Sequence, residues 1–217
     1  MDNKFFTDLI FPPRCMFCGA VLASGEKCSP CRVKAEHFAL SNRQINLSHF
    51  KNLDSCISFY LYDDIVRDGI LYAKFRSCSG FIREFLSYTD FDFKKFFEEN
   101  GTDEIISVPY HRSKLYNTEY DLPQQMAQTI AKNCGVRYNK DLVIKTRKTD
   151  NQHNLSLKER RSNLKDAFRL NGDVKGKNIV IIDDIVTTGY SMEEVARTLK
   201  KGGAYRVTGI AFAYNKG

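Results

Sequence analysis

Residues 177–192 read KNIVIIDDIVTTGYSM, and this stretch limits the fold more tightly than any other. Lys177–Ile182 is continuously apolar after its first two residues, as expected of a strand covered on both faces of a parallel sheet. The run ends in two adjacent carboxylates, Asp183 and Asp184, and passes at once into Thr187, Thr188, Gly189 and Ser191. SMEEVARTLKKGG then carries acids early, lysines late and glycines after, which predicts a helix. In open α/β sheets ligands bind beyond the carboxyl ends of the strands. A helix N-terminus placed there holds phosphate through its backbone N–H groups. The hydroxyls of Thr187, Thr188 and Ser191 add donors, and Gly189 lets the backbone approach closely. Two carboxylates repel phosphate, so Asp183 and Asp184 are expected to accept hydrogen bonds from vicinal hydroxyls. A ligand with a sugar diol about one sugar's width from a phosphate satisfies both halves.

The rest of the chain supplies the matching elements. SCISFYLY, Ser55–Tyr62, reads as a strand rich in aromatic and β-branched residues. Two helices are expected between Asp63 and Asn100, broken near Ser77–Gly80, with Ile65, Val66, Ile70, Leu71 and Phe75 on one face. EIISVP, Glu104–Pro109, is a short strand ending in proline. LPQQMAQTIAKNCG is a helix stopped by Gly135, and YRVTGIAFAY is the last strand. Strands alternating with helices predict an α/β fold with a mainly parallel sheet and flanking helices. LSNRQINLSHFKN, residues 40–52, reads as a linker. The expected division is a small domain over residues 1–40 and a larger one over 54–217. No segment approaches the ~20 apolar residues of a membrane helix, and the N-terminus is a poor secretory signal, so a cytoplasmic protein is expected.

Seven cysteines in such a compartment point to metal or redox chemistry rather than disulfides. Cys15-x2-Cys18 and Cys28-x2-Cys31 are two knuckles that supply four thiolates, the set a structural zinc ion prefers. Gly19 fits the tight turn that aims backbone N–H groups at the sulfurs. One CxxC pair would suffice for redox work, so the doubled pair favours a structural metal with no open position. His37 and His49 are read as non-ligands, and Cys56, Cys78 and Cys134 as ordinary core or surface residues.

Of the net charge of +7, +6 falls between Lys140 and Lys177, which hold eleven Lys/Arg and five Asp/Glu. That block suits nucleic acid or a polyanionic small molecule; a solvated helix face is the plainer alternative. The phenylalanines between Phe81 and Phe97 are expected to pack a core rather than to stack on bases, because no alternating basic and aromatic groove is visible.

VIIDDIVTTGYS resembles the phosphoribosyl-pyrophosphate (PRPP) motif of type I phosphoribosyltransferases. The resemblance implies that fold, with Asp183, Asp184, Val186, Thr187, Thr188, Gly189, Tyr190 and Ser191 around PRPP and Mg²⁺ entering with it. SVPYHRSK places Pro109, Tyr110 and His111 where such enzymes carry the pyrophosphate loop, with Arg112 and Lys114 as candidates for stabilising departing pyrophosphate. Together with the four-cysteine knuckle and QHNLSLKERRSNLKDAF (Gln152–Phe168), the chain resembles the ComF family of competence-associated proteins. That likeness implies pocket roles for Arg147, Gln152, Arg160 and Asn163, with bracing of the loop helix as the alternative for Arg160, and Arg147 and Lys148 on a basic loop are expected to help Arg112 and Lys114 at the pyrophosphate. It also implies single-stranded DNA and a competence helicase as partners, as an alternative to phosphoribosyl transfer. One departure is plain: where the family has an Arg-Gly pair, this chain reads KLYNTEYDLPQQ, keeping Tyr120 and Asp121. In type I enzymes a variable hood sets acceptor specificity, and here it is expected from Asp54–Tyr72 and neighbouring segments.

Overall fold

The structure is a computed structural model, described for residues 12, 14, 15, 17–23, 28–41, 43–46, 50–75, 82, 86, 88–110, 121–147 and 164–216. Its centre is a five-stranded sheet in the order β1-β7-β6-β2-β3. These strands are β1 (Ser55–Leu61), β2 (Glu104–Ser107), β3 (Arg137–Tyr138), β6 (Asn178–Val186) and β7 (Arg206–Tyr214). Every pairing among them is parallel. Such a sheet needs cover on both faces, and β7 is buried from Val207 to Ala213. A separate antiparallel pair joins β4 (Val143–Lys145) to β5 (Phe168–Leu170).

Helices lie on both faces. On one face pack α2 (Asp64–Phe75), α3 (Phe93–Glu99) and α4 (Leu122–Cys134), through Val66, Ile70, Phe97, Met126 and Ile130 against Val180, Ile182 and Phe212. On the other, α5 (Tyr190–Lys201) sets Met192, Val195 and Leu199 against Ile179, Ile181 and Val207. The alternation of odd and even residues along β6 follows from the two-residue period of a strand. Gly135 ends α4 with φ 70°, the left-handed stop expected of it.

Three features differ from the sequence reading. First, β6 does not stop at Ile182. Its register with β7 continues through Asp183↔Ala211 to Val186↔Tyr214, so both aspartates lie inside the strand. The nine-residue length of β7 carries the pairing onward. Second, residues 39–41 and 43–45 are no free linker. They run antiparallel beside β1, with Leu40 N–H donating to Phe59 O at 2.8 Å and Ser58 N–H to Arg43 O at 2.8 Å. Ile45 is buried, and the segment covers an edge that would otherwise expose its backbone. Third, Asp54–Tyr72, expected as a hood, supplies β1 and most of α2, both part of the core. Its aromatic and β-branched residues are there to be buried.

The four-cysteine segment also packs on this core. Helix α1 (Ser29–Glu36) buries Cys31 and Ala35, and the Phe17 ring meets Tyr88 edge-on at 5.2 Å. Phe91, Phe93, Phe96 and Phe97 contact one another and Phe59, a packing role as expected. Phe81 and Phe85 lie outside the described residues.

Candidate functional site

The topology marks one place for a ligand. β2 and β6 are neighbours, yet β2 leads through α4 to β3 on one side, while β6 leads through α5 to β7 on the other. Their following helices lie on opposite faces, so the chain diverges at the carboxyl ends of these two strands. Such a switch point opens a crevice. Val108 N–H donates to Ile182 O at 3.0 Å, which sets Val108, Pro109 and Tyr110 beside Asp183. Pro109 is half-buried and Tyr110 exposed.

From the end of β6 the chain turns into α5 through Thr187, Thr188 and Gly189. Gly189 is the N-cap with φ 71°, a left-handed conformation that favours glycine, and it brings no side chain of its own over the first turn. The residues from Ile185 to Met192, with Asp183, line a concavity of about 290 Å³ that opens to solvent. Two threonine hydroxyls, a serine hydroxyl and a helix N-terminus at one concavity make an anion site in physical terms. The first turn of α5 is braced from outside. Glu193 accepts from the backbone N–H groups of Lys51 at 3.0 Å, Asn52 at 3.1 Å and Leu53 at 3.1 Å, and from Asn52 Nδ2 at 2.7 Å.

The two aspartates are not equivalent. Successive strand residues point to opposite faces. Asp183 is half-buried, lines the concavity, and accepts from Asp184 N–H at 2.9 Å. Burial first, and then the neighbouring Asp184 charge, hold its pKa well above the usual carboxylate range. Asp184 is 4% exposed and turns toward α2. Its Oδ1 accepts from Ile185 N–H at 2.9 Å, and its Oδ2 meets Lys74 Nζ at 2.5 Å. Burial works against the Lys74 ammonium, but Asp184 outweighs it and keeps the lysine pKa above its ordinary value. Tyr62 is half-buried near the pair, its phenol pushed up by burial. Asp121 caps α4 by accepting from Gln124 N–H at 3.0 Å. Burial, with the nearby Asp184 charge, raises its pKa to about 6.

Sequence reasoning passed over Lys74, Tyr62 and the ligand-side setting of Asp121. The signal for Lys74 was present: Val66, Ile70 and Lys74 step by four along the buried face of α2, so a lysine stands where the apolar series predicts another hydrophobe. Arg147 is exposed and donates to Lys165 O at 2.9 Å. His111, Arg112, Lys114, Lys148, Gln152, Arg160 and Asn163 lie outside the described residues. Ala167 and Phe168, from the same stretch as the last three, are buried core residues.

The four cysteines form the second cluster. Their sulfurs lie within 4.8 Å of one another, a spread compatible with one metal ion at the centre of four thiolates. Gly19, with φ 73°, closes the first knuckle, where Phe17 N–H donates to Cys15 Sγ at 3.4 Å and Gly19 N–H to Cys15 O at 2.8 Å. Without a cation, burial pushes the Cys15 thiol up to about 11 and Cys31 higher still. A divalent ion would reverse that, since a coordinated thiol is deprotonated. His37 turns its Nδ1 to Val33 O at 2.8 Å, away from any ligand role. His49 lies outside the described residues.

Comparison with known proteins finds similarity over the region that includes the crevice. Residues 124–217 match the family model described as a phosphoribosyl transferase domain. This part of the chain is similar to that domain. It holds α4, β6, the cradle and α5. DNA utilization protein YhgH of Escherichia coli strain CFT073 is 38% identical over 105 residues, 48% of this chain and 46% of that protein. Competence protein F of Haemophilus influenzae is 28% identical over 116 residues, 51% of each chain. These relatives agree with the ComF resemblance, and the chain spans about half the length of the curated relatives it matches. Among solved structures, adenine phosphoribosyltransferase from Saccharomyces cerevisiae overlaps 87% of this chain and 89% of its own, at 16% identity and a TM-score of 0.42. Among the described residues no helix is long and apolar enough to cross a membrane.

Proposed function

We propose that this protein binds PRPP at the carboxyl ends of β2 and β6 and transfers or recognises its 5-phosphoribosyl group. The observation that carries the reading is the concavity from Asp183 to Met192: a carboxylate at one end, a left-handed glycine, hydroxyls and a helix N-terminus at the other. The 5′-phosphate sits at Thr187, Thr188, Gly189, Tyr190 and Ser191, and the ribose diol donates to the acidic pair. Val186 lies between the two. Pro109, Tyr110 and His111 face the pyrophosphate, and Arg112 and Lys114 stabilise its negative charge. Mg²⁺ bound with PRPP would supply charge neutralisation for the pyrophosphate, and Asp183 and Asp184 would orient it indirectly. In transfer, the anomeric C–O bond to pyrophosphate breaks as a nucleophilic atom of the acceptor bonds to the same carbon and gives up its proton, and electrostatic stabilisation of the leaving pyrophosphate does much of the work. Arg147, Gln152, Arg160 and Asn163 complete the pocket on the ComF likeness. The metal at Cys15, Cys18, Cys28 and Cys31 is zinc, in a structural role, since four thiolates fill a tetrahedral shell.

A ligand that binds only the folded state raises the melting temperature with its concentration. Mg²⁺–PRPP is expected to raise it for the wild type but not for Gly189→Val, which puts a branched side chain on a left-handed residue of the cradle lining. Equal shifts in both proteins would remove the cradle from the binding site.

The second reading is an accessory in DNA uptake that handles single-stranded DNA. The names of the relatives and the basic block over residues 140–177 favour it. The packed phenylalanines of α3 offer no stacking platform. DNA affinity that falls steeply with salt, undiminished by PRPP, supports this second reading over the first.

A further inference from the structure

Lys74 has no role in the ligand contacts proposed above, yet it reaches the heart of the site. It stands in the last turn of α2, at the end of the buried Val66–Ile70 series. Its ammonium meets Asp184 Oδ2 at 2.5 Å, with about a third of the lysine side chain and little of the aspartate exposed. Among the described residues, the groups facing Asp184 are Lys74 and Tyr62 from the α2 side, Asp121 from the start of α4, and Asp183 from its own strand. Lys74 thus pairs with Asp184 close to a second carboxylate, Asp183. A purely structural ion pair gains little at such a place, because desolvating both charges offsets their attraction. A buried carboxylate that must be held in one direction beside another acid does gain from such a partner.

We propose that Lys74 is a positioning residue for the ligand site: from α2 it pairs with Asp184 and fixes its aim, so that the acidic pair can accept the hydroxyls of a ribose diol. This deepens the PRPP reading and rests on it. Lys74 acts through Asp184 rather than by touching the ligand. Without it, the Asp184 carboxylate loses the ion pair that holds its Oδ2 in place. The phosphate cradle on the opposite face of β6 is left intact.

Two probes separate these halves. Ribose 5-phosphate carries both diol and phosphate, whereas inorganic phosphate tests the cradle alone. Calorimetric titration of the full chain is expected to show Lys74→Met weakening ribose 5-phosphate by about tenfold or more, the worth of one charge-assisted bond. Phosphate affinity stays unchanged, and Lys74→Arg restores most of the loss. If Lys74→Met unfolds, Lys74→Met in an Asp184→Asn background removes both charges and leaves no buried ion alone. That double variant is expected to bind ribose 5-phosphate as Asp184→Asn does. A further loss in the double variant would show Lys74 touching the ligand and overturn the positioning role. So would equal weakening of both probes in Lys74→Met, which marks a general structural effect, or unchanged binding of both. If the wild type binds neither probe, the PRPP reading itself fails, an outcome distinct from a wild type that binds and a Lys74 variant that binds equally well.

Discussion

The four-cysteine cluster and the β6–α5 crevice are both clusters of polar side chains held by tight turns, but they are closed to different degrees. In the cluster, three of the four cysteines are buried and all four sulfurs converge on one point, so a metal there has no position left for substrate. In the crevice, the half-buried Asp183 and the glycine-capped turn of α5 border open space, while Asp184, paired with Lys74, is turned inward. The cluster is built to be filled once and stay filled. The crevice is built so that something can come and go. Exposure of the polar atoms, more than their number, separates a structural site from a working one.

The largest effect is expected at the closed site. Cys31→Ser should abolish stoichiometric zinc and destabilise the protein on the order of several kcal/mol, read as metal content and melting temperature. PRPP affinity at temperatures where the variant stays folded should be nearly unchanged. A selective loss of ligand binding with normal stability would break the comparison.

Next comes the inward aspartate. Asp184→Asn leaves the largely buried Lys74 ammonium without its counter-ion and should cost about 3 kcal/mol in denaturant unfolding. The outward Asp183→Asn should cost far less, or even stabilise, because it removes a carboxyl that burial disfavours as a charge. Its effect belongs to ligand binding. Equal stability losses in the two variants would erase the distinction between the two faces of β6.

The smallest effect is a pH dependence. Asp121 has its pKa raised from 3.8 to about 6 in the folded chain. The folded state therefore holds more protons than the unfolded one between these values, and this residue's contribution falls as pH rises through that window. Asp121→Asn, which keeps an N-cap acceptor, should flatten the decline. A decline that persists unchanged in the variant would assign it to another group.

What the sequence made legible followed from patterns with a single physical meaning. The apolar run before Asp183 had to be a doubly covered strand, the paired CxxC knuckles had to converge, and Gly135 had to stop its helix. Less legible was whatever depended on which face a residue takes. Asp183 and Asp184 look alike on paper, and only the strand period with the placement of α2 sends one to the crevice and the other to Lys74. Residues 40–52 read as a linker because their polarity hid the few that matter, Ile45 and the backbone groups that pair with β1. The expected hood at Asp54–Tyr72 came from analogy, whereas its own composition argued for a core strand and an amphipathic helix.

The most direct test of the open crevice is calorimetric titration of Mg²⁺–PRPP into the zinc-loaded protein, beside Asp183→Asn/Asp184→Asn. Saturable binding by the wild type and none by a folded variant is the expected result. No binding by a folded wild type, or equal binding by both proteins, would contradict the assignment of the β6–α5 crevice as the ligand site.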